Sequence, residues 1–402
     1  MSYVKNKQFY TWVSQLLDDN VLDLLLQEYY EDDEVYSATV EGEEYSYAIG
    51  THNQLLYPHI GKEAVEDWDF ESPMTESKGE DYESLQDYVQ LLSLRENDTI
   101  ASDPEEIDID EFLWNDPTYI LTETEFDRPS SSVTFSRTQS DFYTVTNRAT
   151  ELVFELVDTI LEDHYIGSEQ ISASSVLKHE LPIRDRYFSS VSDRVQSISE
   201  RPHGVGGSYL TFIKADDEYH LFVGNRSDDV AFWPNDYSVI PTGFLQKSEV
   251  SLGNPLQQHM LTEYAKEFYD YDRPNSSSRA VKSLHQLLTS SDAQFEITGS
   301  GLNLLHGHME FTGVLIINYD SYIGYMEEHT SESFVHDSVS LIPLSDLPET
   351  IDSLLHQQNI TPTSAFALLN GLHYLKTETD ISVPLDIEIE QYEPDRPDRL
   401  QS

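Results

Sequence analysis

RPHGVGGSYLTFIKADDEYHLFVGNRSDDVAFWPNDYSVIPTGFLQ, Arg201–Gln246, sets the structural class of this chain. Residues 206–214 and 219–224 alternate as two neighbouring strands do, and residues 215–218 supply the paired aspartates of a hairpin turn. Residues 237–242 are a third strand candidate, closed by Gly243. A helix candidate follows over residues 255–269 and contains LTEYAKEF, in which Glu263 and Glu267 stand four positions apart. On a helix that spacing puts both carboxylates on one face. Beyond it the pattern predicts a helix over 281–288, strands over 295–305, 311–319 and 334–342, and helices over 344–355 and 361–374. The last opens with a Thr–Pro pair suited to a helix N-terminus. Strands and helices mixed in this order predict an α/β domain.

Upstream, Phe9, Trp12, Val13, Leu16, Leu17, Val21, Leu24, Leu25 and Leu26 recur as one buried helical stripe, with a break near Asp19–Asn20. Residues 32–47 alternate like a hairpin, and 61–81 read as a loop. Residues 82–94 suit a helix, 96–111 form an acidic stretch, 132–145 a strand and 147–161 an amphipathic helix. The chain therefore divides into a mixed, substantially helical N-terminal region (1–171), a connector (172–200), an α/β domain (201–377) and an acidic C-terminal tail (378–402). Arg184 and Arg186 form a small basic cluster in the connector. The N-terminal region reads equally as an interaction or regulatory domain that meets a protein partner, or as a packing extension of the main domain.

Asp and Glu number 74 against 23 Lys and Arg, for a formal net charge of −51 in 402 residues. Such like charge opposes compaction in dilute buffer. At about 1 M salt the screening length falls to about 3 Å and the repulsion becomes local. The acids are spread along the whole chain, as in proteins of extreme halophiles, and the composition is read as adaptation to concentrated salt. It gives no support for a broad nucleic-acid-binding surface. The 38% hydrophobic content, with 25 Tyr and 17 Phe, is enough for true cores. Cysteine is absent, which excludes disulfides, thiolate nucleophiles and Cys-ligated metals. The first residues lack a signal-peptide pattern, and no run approaches 18 apolar residues, so no membrane association is expected and the cytoplasm is the expected location.

The element order over roughly residues 201–377 resembles a Nudix-fold domain, an α/β/α sandwich. The resemblance is carried by GSYLTFIKA, YHLFVGNRS, the PTG turn, TEYAKEF and FTGVLIINY. It implies a loop–helix–loop that holds Mg²⁺ or Mn²⁺ around a diphosphate, with Gly243 as the leading glycine and Glu249 as the early glutamate. Glu263 and Glu267 match the later acidic positions. Thr262 stands where the family has arginine, Lys266 replaces one glutamate, Tyr269 replaces the closing glycine, and about five extra residues precede the helix. The resemblance thus implies a metal-dependent hydrolase of nucleoside-diphosphate-linked or related phosphorylated metabolites. In that reading Glu249, Glu263 and Glu267 are catalytic metal ligands and Arg226 positions phosphate. Its alternative is a Nudix-like ligand-binding, regulatory or protein-interaction module without hydrolysis. A solvated or structural helix face explains the same glutamate pair without metal.

HGVGG (Gly204, Gly206, Gly207) permits close backbone approach but lacks the spacing of a phosphate loop. Tyr219, Phe232 and Trp233 suit either base stacking or an aromatic core. His306, His308 and Glu310 share a face if the strand is continuous, giving either a metal site or a polar rim; Gly307 would break that alignment. His259, one turn before Glu263, is a candidate supporting donor. From the charge comes a first prediction: raising KCl from about 0.1 M to above 1 M should raise the thermal midpoint, as screening removes the repulsion. Circular-dichroism melts across that range test this, and a midpoint that stays constant or falls would contradict it.

Overall fold

The computed structural model describes residues 5–30, 34–51, 69–70, 82–100, 108–113, 115–127, 132–168, 171–191, 200–227, 230, 233, 235–269, 273–319, 322, 324, 336–356 and 359–389. Helices α1 (Lys7–Asp18) and α2 (Val21–Tyr29) replace one continuous stripe because Asn20 takes a left-handed conformation at φ 53°. That is the break expected at Asp19–Asn20. Strands β1 (Val35–Val40) and β2 (Glu43–Gly50) form the expected hairpin. β3 (Asp69–Phe70) precedes α3 (Glu83–Asn97), β4 (Pro117–Asp127) and β5 (Ser132–Asp141). Next comes α4 (Phe142–Asp163), which starts earlier than its hydrophobic pattern because Asp141 accepts a hydrogen bond from the Thr144 N–H. The short α5 (Ala173–Val176) and α6 (Pro182–Tyr187) occupy the connector. Most of the expected 61–81 loop lies outside the described residues.

The second half begins with β6 (Val205–Ala215) and β7 (Glu218–Arg226), joined by Asp216 and Asp217 at φ 53° and 67°. Two positive-φ residues are what a tight two-residue hairpin requires. The expected 237–242 strand divides at Ile240–Pro241 into β8 (Tyr237–Val239) and β9 (Thr242–Phe244). Then follow α7 (Pro255–Tyr269), α8 (Arg279–Ser290), β10 (Ala293–Asn303), β11 (Met309–Ile317), β12 (His336–Pro343), α9 (Leu347–Leu355), α10 (Pro362–Glu378) and β13 (Ile387–Ile389).

The main sheet has the order β12-β7-β6-β11-β10-β2-β1-β13, with β8 on β7 and β9 on β6; β3, β5 and β4 form a separate small sheet. Among the described residues, the one parallel strand pairing in the main sheet joins β6 and β11. Side-chain alternation along β6 divides the core between its two faces. Tyr209 and Ile213 join α7, α8 and the N-terminal helices, whereas Leu210 and Phe212 join α9 and α10. Each such fully buried large apolar side chain contributes about 1.5–3 kcal/mol. The α/β/α layering expected of the second half is therefore present.

Two strand pairings cross the expected boundaries. β2 pairs with β10 through Gly50–Leu302 and Ile49–Asn303, so part of the 1–171 region belongs to the main sheet. The segment read as an acidic tail supplies β13, whose Ile387 pairs with Val40 and whose Ile389 is buried. Two apolar residues flanking Glu388 are enough to seat this short strand. Among the described residues, no helix is long and apolar enough to cross a membrane.

Arg184 of α6 joins the halves. Its guanidinium is fully buried and donates to the carbonyls of Leu304 (2.6 Å), Leu305 (3.1 Å) and Leu152 (3.5 Å), with Glu155 at 3.7 Å. Arg184→Ala should cost about 3–5 kcal/mol, the usual result of leaving a buried partner uncompensated. Urea denaturation in concentrated KCl measures this, and a loss below about 1 kcal/mol would show that the anchor is dispensable.

Candidate functional site

Helix α7 begins where Asn254 accepts a hydrogen bond from the Gln257 N–H and Pro255 occupies the first turn. It is buried on almost every side, including Glu263 (6% exposed) and Glu267 (1%). The glutamate pair expected on one helical face is present, but that face is not solvated. It turns towards β9, β7 and β12.

Both carboxylate oxygens of Glu267 have a partner. One carboxylate oxygen accepts the Thr242 N–H at 2.8 Å, and the other lies 2.8 Å from His336 Nε2. Strand β12 delivers His336 opposite Arg226, its register partner on β7. Burial lowers the pKa of the Arg226 guanidinium, while Glu267 and then Asp236 oppose that shift. The Arg226 backbone holds the strand corner by donating to Asp236 O (2.9 Å) and accepting from Asn235 N–H (3.1 Å). Arg226 and Glu267 are therefore brought together.

Glu263 accepts from Lys266 Nζ at 3.0 Å, and the same ammonium donates to Gln246 at 2.8 Å. Burial pushes the Glu263 carboxyl up to about 7, with Lys266 opposing and Glu267 reinforcing the shift. Gly243 lies in β9 opposite Gly207, and a Cβ there would come within 2.9 Å of Glu263 Oε2. The glycine leaves room for the carboxylate. Glu249 is not brought to this cluster. It is exposed, its backbone bridges to Asn275, and its carboxylate forms no hydrogen bond or ion pair among the described residues.

Gly206 and Gly207 of HGVGG lie in β6, paired with β9 and β11, and Gly204 just before it bridges to Ile120, so this segment is extended sheet and not a phosphate loop. Tyr219 donates to Asn318 at 2.6 Å, and Trp233 meets His306 edge-on at 4.7 Å; Phe232 lies outside the described residues. His306 sits in the turn before Gly307, whose φ of 72° interrupts the alternation needed for one shared strand face. His306 and His308 stack at 5.8 Å, and His308 Nε2 lies 2.8 Å from Glu310 Oε1. Burial drives the His306 pKa well down, with His308 and then Arg184 adding to it.

Among the described residues, no three or more His, Cys, Asp or Glu side chains are grouped to hold a metal ion. The donor chemistry agrees. Glu267 is occupied by a backbone N–H and a histidine, Glu263 by an ammonium, and Glu249 faces solvent. This arrangement does not fit Mg²⁺ or Mn²⁺, which need several free hard oxygens in near-octahedral geometry. The part that sequence reasoning missed is His336, which no motif marks and only the β7–β12 pairing brings to Glu267.

No protein-family model matches the chain, and no curated protein matches its sequence. Several solved structures are similar at low overlap. A C. elegans Ap4A hydrolase binary complex is 11% identical, with a TM-score of 0.23 over 38% of this chain and 92% of that one. The NUDIX domain of Shewanella oneidensis NrtR complexed with ADP ribose is 12% identical, with a TM-score of 0.22 over 36% and 75%. A NUDIX hydrolase from Alicyclobacillus acidocaldarius is 13% identical, with a TM-score of 0.25 over 44% and 97%. At this overlap they assign no chemistry to this chain.

Burial also sets a pH dependence. Desolvation raises Glu263 and Asp236 to about 7, Asp23 to about 7 and Asp158 to about 6. The folded state then holds protons that the unfolded chain has released, so stability falls as pH rises through this window. Glu263→Gln should remove its share, leaving stability near pH 4 unchanged and gaining roughly 1–3 kcal/mol at pH 8. Denaturation of both proteins across pH 4–8 measures the difference, and parallel curves would contradict the assignment.

Proposed function

We propose that residues 201–377 form a Nudix-like ligand-binding or regulatory module that does not hydrolyse its ligand. The observation that carries this reading is the engagement of Glu267 by the Thr242 N–H and His336, in a side chain almost wholly buried. A carboxylate meant to take a metal keeps oxygens available, whereas these oxygens fasten the helix to two strands. Lys266 favours the same reading, because it places a cation on Glu263 where a metal-binding helix would carry another carboxylate. The ligand class in this proposal is a small phosphorylated metabolite, with Arg226 as the cation closest in role to a phosphate partner. The N-terminal region, packed into the same core, would pass on or receive the binding signal.

The decisive experiment offers ADP-ribose and diadenosine polyphosphates to the purified protein in concentrated KCl, with Mg²⁺ or Mn²⁺, beside Glu267→Gln. Calorimetry reads binding and chromatography reads cleavage. Saturable binding without cleavage is expected, with Glu267→Gln lowering thermal stability. Metal-dependent cleavage that disappears in a folded Glu267→Gln protein would overturn the proposal in favour of a hydrolase.

A further inference from the structure

Strand β12 ends the main sheet, and among the described residues its outer edge pairs with no other strand. Its inner edge is fixed to β7 in a continuous register, from Ser338 opposite Asn225 to Pro343 opposite His220. We propose that the outer edge is a self-association surface, where β12 of a second copy pairs antiparallel about a two-fold axis through Ser340. The inference is independent of the function proposed for residues 201–377.

An unpaired edge offers its backbone N–H and C=O groups to any other strand, so sheets guard their edges with short strands, charges, bulges or proline. β13, at the opposite end of this sheet, is guarded in that way. It is three residues long, and an exposed Glu388 stands between its two isoleucines. β12 is guarded only at its ends. Its irregularity falls between His336 and Ser338 and its proline at the last position, which leaves 338–342 regular. Ser338, Val339, Ser340 and Leu341 are all exposed, Val339 to 43% and Leu341 to 38%.

Charge selects the occupant. The run 338–345, SVSLIPLS, has no charged residue in a chain where 24% of residues are charged. It therefore offers nothing to a cationic partner. Two copies at −51 each repel one another, and they approach most easily where neither presents acids. The edge is also complementary to itself. Directly opposed residues of an antiparallel pair lie side by side on one face. An axis through Ser340 sets Val339 opposite Leu341 of the second copy, twice over, and Ser338 opposite Ile342. An axis through Val339 would instead set Leu341 against the acidic residue at 337. One through Leu341 would set Val339 against Pro343, which has no N–H to share.

The test is sedimentation equilibrium of the full chain in concentrated KCl over a range of protein concentrations. A monomer–dimer equilibrium is expected, and more KCl should strengthen it by screening the repulsion between copies. Two pairs of substitutions separate this register from general stickiness. Val339→Lys with Leu341→Lys sets like charges directly opposite and should weaken dimerisation about tenfold or more, although it lowers the net negative charge. Val339→Lys with Leu341→Glu sets opposite charges across the axis and should keep the affinity within about threefold of wild type. A monomer at every concentration would overturn the proposal and leave the edge to a strand of another protein. A dimer that survives the first pair of substitutions, or that both pairs weaken equally, would overturn it too. Should a variant fail to fold, amide exchange in the wild-type chain still decides. Protection within 338–342 should rise with protein concentration, and protection independent of concentration would overturn the pairing.

Discussion

The buried guanidinium of Arg184 is the constraint on which the rest of the molecule depends. Arginine stays charged, so its burial is tolerated only where a counter-charge and acceptors accompany it. Three backbone carbonyls accept from its terminal nitrogens and Glu155 stands 3.7 Å from Nε as the counter-charge; two of those carbonyls belong to the turn between β10 and β11. Asp23 from α2 also feels this charge: burial raises its carboxyl, Arg184 opposes the rise, and the balance stands at about 7. One side chain in a short helix thereby holds the N-terminal helices against the turn that carries His306 and His308. Gly307 completes the fit, because a side chain there would strike Leu152 and Phe188.

The same logic governs α7. In a chain whose acids mostly face water, this helix turns two glutamates inward, and each is matched by a different kind of partner. Glu267 receives a strand N–H and a histidine, while Glu263 receives a lysine. The two contacts of Glu267 hold α7 to β9 and β12, while Glu263 and Lys266 pair within the helix. Helix orientation, more than residue content, decides what an acidic helix can do.

Much of the architecture was legible in the sequence because period and punctuation are local. The hairpin at Asp216–Asp217, the break at Asn20 and the Thr–Pro start of α10 were all read from a few adjacent residues. Long-range pairing was not. Nothing in GEEYSYAIG indicates that β2 will meet β10, and the apolar residues of β13 were hidden within an acidic stretch. At the site, the spacing of Glu263 and Glu267 gave the shared face, but whether it met water depended on strands far along the chain. His336 had no signature, because only the pairing of β7 with β12 brings it to Glu267.

The β2–β10 pairing also bears on how the protein is made. Gly50 waits for Leu302, so the first hairpin emerges some 250 residues before its neighbour, or roughly 12–50 s at about 5–20 residues per second. During synthesis that hairpin presents an open edge beside the nascent apolar helices. Its remaining flank is covered only when Ile387–Ile389 emerges. The main sheet is therefore built as two separate hairpins that β10 and β11 later join and that β12 and β13 then flank, and the ribosome-bound chain passes through a long interval in which its earliest strands most need protection from other chains.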